Sequence, residues 1–134
     1  MLAHTTSQEK IAKIMQEGLK GVSYWCEVGS LSAYYAETVR DEGDDPAVLL
    51  LPVEILEAYQ PEPDKPGLEE PLSFTLGMKD EEIWEAWQET NGSWQACLEL
   101  IGSLRCRAPI PANVILEYNP HLASPSVRAS RSGP

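Results

Sequence analysis

The chain has one phenylalanine, two histidines and three cysteines among 134 residues, and ten basic side chains against 21 acidic ones. Each shortage excludes something. Cys26, Cys97 and Cys106 are odd in number and include no Cys-x-x-Cys pair, which argues against a disulfide framework and a structural zinc site and leaves reduced, structural thiols. His4 and His121 stand too far apart to form a metal-binding pair at short spacing, and neither a Gly-rich phosphate loop nor a Gly-x-Ser-x-Gly elbow is present. No apolar run approaches the ~18 residues of a membrane span, and the first residues lack the basic-then-apolar layout of a secretory signal. A soluble, cytoplasmic protein that does not engage membranes is the expectation.

The shortage of bases has a location. Residues 1–36 are neutral, residues 37–90 carry sixteen acids against three bases, and residues 91–134 carry two acids against four bases. Direct binding to a nucleic-acid backbone is disfavoured, because that affinity comes from Lys and Arg neutralising phosphates. The acidic band reads either as a solvated surface that keeps the protein soluble or as a docking face for a basic protein partner.

What is there divides into short elements. Residues 1–5 read as a strand, and Ser7 as the N-cap of a helix whose Ile11, Ile14, Met15 and Leu19 share one face before Gly18 and Gly21 end it. Residues 22–26 alternate as a second strand. Gly29 and Ser30 open a helix with Leu31, Tyr34, Tyr35, Thr38 and Val39 as its apolar stripe. Residues 42–46 make a turn, and residues 47–53 are almost wholly apolar, the mark of a strand buried on both faces. Residues 60–71 hold four prolines and four acids and predict an acidic loop or excursion within the domain. Asp80 predicts a helix cap before Ile83, Trp84 and Trp87, and Ser93 another before Trp94, Cys97, Leu98 and Ile101, the tryptophans reading as core. Residues 104–110 and 113–118 read as strands. Residues 1–118 thus form one domain, and residues 119–134, rich in Pro, Ser, Ala and Gly, read as a disordered tail.

Two segments carry a chemistry. Leu2-Ala3-His4-Thr5-Thr6 ends a strand in a histidine, and Ser30-Leu31-Ser32-Ala33-Tyr34-Tyr35-Ala36 begins a helix with paired tyrosines after a second strand. The pair resembles the NAD-binding half of the ADP-ribosyltransferase superfamily, in its His-Tyr-Glu form, over residues 1–55 and more loosely over 98–118. The resemblance implies an α+β fold of two packed small sheets with flanking helices and a cleft. It implies NAD as substrate, with His4 on the ribose, Tyr35 stacked on the nicotinamide, the Thr5 backbone on the carboxamide, and Tyr24 or Trp25 completing the wall. The third member of the signature is not evident. Where the family carries its glutamate before an Ile-Pro-type pair, this chain reads Arg105-Cys106-Arg107-Ala108-Pro109-Ile110-Pro111. Arg107 would grip a pyrophosphate bidentately, and Glu117 is the remaining acid of the C-terminal strands and the candidate for the catalytic carboxylate.

Two functions are therefore expected in turn. The first is NAD-dependent mono-ADP-ribosylation of a macromolecular target through His4, Tyr35 and Glu117. The alternative is a non-catalytic acidic binding protein or inhibitor, for example a viral anti-defence protein, that docks a basic partner.

Overall fold

A computed structural model describes residues 1–71 and 76–118. The expected tail, with His121, lies outside the described residues. The architecture is α+β: six strands form one sheet, and helices cover it. In chain order the elements are β1 (Leu2–Ser7), α1 (Gln8–Glu17), β2 (Ser23–Glu27), α2 (Ser30–Asp41) and β3 (Pro46–Leu51). A 3-10 segment (Val53–Tyr59), β4 (Pro61–Glu62), α3 (Lys65–Glu69), α4 (Asp80–Gln88) and α5 (Trp94–Ile101) follow, then β5 (Ser103–Cys106), a 3-10 turn (Ala112–Val114) and β6 (Leu116–Tyr118).

The sheet order is β4-β5-β2-β1-β3-β6, antiparallel at every junction. The expected pair of packed sheets is corrected to this single sheet, because β1 and β2 hydrogen-bond to each other. Their junction is short. Only Leu2 with Glu27 and Ala3 with Cys26 stand in register there, against six registered pairs between β1 and β3 and four between β2 and β5.

Alternation along the strands sorts side chains to two faces, since successive residues of a strand point to opposite sides. Leu2, Trp25, Leu49, Leu51 and Leu104 go to one face with Ile11 of α1 and Leu56 of the 3-10 segment. Ala3, Cys26 and Val48 go to the other and meet Leu31 of α2. β3 feeds both clusters, which is why its sequence shows no polar alternation. A third cluster, Leu68, Ile83, Cys97 and Ile101, joins α3, α4 and α5.

Several local expectations change. Residues 60–71 contain an edge strand and a helix as well as loop, because Asp64 caps α3 by accepting a hydrogen bond from the Gly67 N–H at 3.0 Å. Ser7 occupies the N-cap position of α1 without a side-chain cap bond, and the N-cap of α4 is Lys79, with Asp80 inside its first turn. Ser93 caps α5 as its spacing implies, through the Ala96 N–H. The strand expected over 104–110 stops at Cys106, and the one expected over 113–118 begins at Leu116 after a 3-10 turn, both shortened by the prolines between them. Trp84 is 45% exposed rather than core, because Ile83 takes the buried position of that turn.

Gly18 closes α1 where the chain crosses beneath Ile110. Its φ is +79°, and a β-carbon there would lie 2.4 Å from the Ile110 carbonyl oxygen. Leu19 and Ile110 exchange both backbone hydrogen bonds at 2.9 Å, so neither segment is free to withdraw. Gly18→Ala is expected to cost more than about 2 kcal/mol, strain plus clash. Gly92→Ala, at φ +76° with open space around it, should cost about 1 kcal/mol. Urea midpoints of the two variants check the order.

Candidate functional site

β1 and β2 part after Ala3 and Cys26, and the parting makes the site. A ladder continued in the same register would set Thr5 opposite Tyr24. Instead the Tyr24 carbonyl accepts a hydrogen bond from Nδ1 of His4 at 2.7 Å. The His4 ring also lies against Trp25, centroids 5.4 Å apart. A carbonyl can only accept, so Nδ1 carries the proton, and in the neutral ring Nε2 is left as an acceptor.

Beside this parting is a cavity of about 600 Å³. His4 and Thr5 of β1, Tyr24 of β2 and Tyr35 of α2 all line it. The first two sit in the middle of β1, which runs on to Ser7 rather than ending at the histidine as expected, and the last lies one turn into a helix, 31 positions after His4, because α2 packs over β1 and brings its Leu31–Tyr35 side toward the gap. Tyr34 and Tyr35 stand edge to face with centroids 5.6 Å apart, and both remain partly exposed. The tyrosine stripe read from the sequence therefore faces a cavity more than a core.

Burial sets the protonation of the walls. Desolvation, with a smaller push from the Lys10 charge, holds His4 below its ordinary value of 6.5 against the opposing hydrogen bond to Tyr24. Burial also raises the Tyr35 phenol above its ordinary value, helped by the nearby Cys26, Asp64 and Tyr34. The Cys26 thiol, another wall residue, is pushed up to about 12 by burial, so it is no nucleophile at neutral pH. At pH 7 His4 is thus a neutral imidazole, and Tyr35 and Cys26 keep a neutral phenol and a neutral thiol.

The remaining sequence candidates lie elsewhere. Glu117 sits on β6 opposite Leu49, exposed, at the far edge of the sheet. It does not line the cavity, because β3 lies between β6 and β1 and moves it roughly two strand spacings, about 10 Å, away. Arg107 is also outside the cavity wall. It follows β5, keeps its N–H on the Gln60 carbonyl at 3.0 Å, and turns its guanidinium toward Glu62 of β4 at 3.7 Å. Arg105 ion-pairs with the same Glu62 and reaches the Tyr24 hydroxyl at 3.4 Å, contacts that raise its already high pKa. The two arginines thus meet a carboxylate of the protein itself.

One carboxylate in the wall escaped the sequence reading. Asp64 is 6% exposed, and its Oδ2 accepts from the Ser103 hydroxyl at 2.8 Å while its Oδ1 takes the Gly67 N–H. Ser103 opens β5 opposite Cys26, and it lines the same cavity as Asp64 and His4. A β-carbon at Gly67 would lie 2.4 Å from Asp64 Oδ2, which is why this turn needs glycine. The available signal was Asp-Lys-Pro-Gly, an N-cap acid with proline in the first helical turn, hidden inside a stretch whose composition reads as loop. Thr5 adds a buried hydroxyl oxygen with no hydrogen-bond partner. Leaving such an oxygen unpaired costs about 1–3 kcal/mol.

Among the described residues no group of three or more His, Cys, Asp or Glu side chains could hold a metal ion, and no helix is long and apolar enough to cross a membrane. Compared with protein-family models, curated proteins and solved structures, the chain matches none.

The depressed pKa of His4 has a sign for stability. The folded state binds this proton less well than the unfolded chain, so His4 contributes most above 6.5 and its contribution is lost as the pH falls toward the depressed folded value. His4→Gln is expected to flatten the fall in urea midpoint over that acid limb relative to the parent. Equal slopes for both proteins would show the ring to be better hydrated than its surroundings imply.

Proposed function

We propose that the chain is an NAD-dependent mono-ADP-ribosyltransferase-like protein that acts on a macromolecular target, with NAD as its substrate. The observation that carries this reading is the shared cavity of His4, Thr5, Tyr24 and Tyr35 at the parting of β1 and β2. Its volume lies within the few hundred to about 1,000 Å³ usual for small-molecule sites.

The chemistry asks three things of such a cavity. The nicotinamide ring must be held flat, and the tyrosine faces beside it suit that task. A ribose hydroxyl must be oriented, and the His4 Nε2 acceptor suits it, its ring fixed by the Nδ1 hydrogen bond. As the bond from the ribose anomeric carbon to the ring nitrogen breaks, the nicotinamide leaves with the electron pair and positive charge builds on the ribose. In this reading Asp64, fixed by Ser103 and Gly67, supplies the negative charge that Glu117 does not bring to the cavity.

Calorimetric titration of NAD, together with chromatographic assay of released nicotinamide, tests the reading. Binding is expected, with His4→Ala and Tyr35→Ala each lowering turnover at least about 100-fold. Glu117→Gln and Arg107→Ala should leave both measurements unchanged. Absence of NAD binding by the parent protein would end this reading.

A second reading has its own observation. On α4 the exposed Trp84 stands among exposed Glu81, Glu82 and Glu85, an aromatic anchor inside a field of one sign. It supports a non-catalytic protein that docks a basic partner. Charge reversal of the three glutamates should then slow association and flatten its salt dependence in surface-plasmon-resonance measurements, while His4→Ala and Tyr35→Ala leave it alone. Salt-independent association would exclude this mode of docking.

A further inference from the structure

We propose that the cavity selects a flat organic cation, an N-alkylpyridinium, over the neutral ring of the same shape. The inference rests on the reading that the nicotinamide end enters this cavity, and adds what charge the site requires of it.

Three carboxylates line the space: Asp64 in the wall and Glu42 and Glu70, both exposed. Among the described residues no lysine or arginine lines it. The donors that hold Asp64 are a hydroxyl and a backbone N–H, both neutral, so its charge is oriented but not cancelled. Tyr24, Tyr34 and Tyr35 line the same space. An aromatic face attracts a cation through its quadrupole, and the carboxylates add a Coulomb attraction of the same sign.

The same arithmetic turns against an anion. A diphosphate inside the cavity would meet three like charges and no described base, so in NAD only the pyridinium and its ribose belong inside, with the diphosphate beyond the mouth. A neutral nicotinamide gains the stacking but not the charge. Selection of the cation also fits the direction of the reaction, because cleavage discharges the ring and weakens its hold on the site.

Calorimetry on the full chain with 1-methylnicotinamide and with nicotinamide compares one shape in two charge states. The cation is expected to bind at least about tenfold tighter, with the preference shrinking at high salt. Glu42→Gln together with Glu70→Gln should weaken the cation by about tenfold and leave nicotinamide unchanged. Equal affinities, tighter nicotinamide, or binding of neither compound would overturn the proposal. A parallel NAD titration separates the two ideas. Cation preference without NAD binding would remove the transferase reading and keep the selection, whereas NAD binding sensitive to His4→Ala without cation preference would do the reverse.

Discussion

The hydrogen bond from His4 Nδ1 to the Tyr24 carbonyl is the constraint on which the site depends. A backbone carbonyl next to a missing ladder partner must be satisfied or lose about 1–3 kcal/mol, and here a side chain from the neighbouring strand does it. That substitution lets β1 and β2 separate without leaving this carbonyl orphaned. The gap then admits Tyr24, Tyr35 and Asp64 to one space, and it fixes the tautomer of the imidazole. The fold's irregularity and the site's chemistry are therefore one feature.

The two faces of the sheet support this gap unequally. On one side Trp25, Leu49 and Leu104 form the main core with α1, and the Trp25 indole N–H is satisfied within it by Ser23 Oγ at 2.9 Å. On the other, Leu31 is the anchor of α2, with Ala3, Cys26 and Val48 beneath it. α2 is thus secured at its first turn, while Thr38 and Val39, further along, border the cavity. Packing holds the helix close enough to bring Tyr35 in and leaves the space beside it unfilled.

Much of the local structure was legible because local signals had local causes. Ile11, Ile14 and Met15 at helical spacing, the unbroken apolar run of β3, and Ser93 before α5 each state their own structure. The meeting of His4 and Tyr35 at one cavity is not encoded in either segment, because nothing in either fixes their distance. Residue type alone marks Glu117 and Arg107 within the last strands. Strand order put one at the β6 edge and turned the other toward Glu62, and strand order arises from pairing between distant segments. Asp64 was missed for the opposite reason: its partner Ser103 lies 39 positions away, and composition hid its short helix.

The short junction between β1 and β2 also has a mechanical meaning. β4, β5 and β2 form one half of the sheet and β1, β3 and β6 the other, and within the described ladder two residue pairs splice them. Beside them the His4 Nδ1–Tyr24 carbonyl bond links the same two strands, and Leu19 and Ile110 exchange two backbone hydrogen bonds beyond the strands proper. The main core bridges that splice, since Leu2, Leu49 and Leu51 of one half pack with Trp25, Leu104 and Cys106 of the other. The two halves are therefore joined more by side-chain packing than by backbone pairing, and the cavity lies beside that seam.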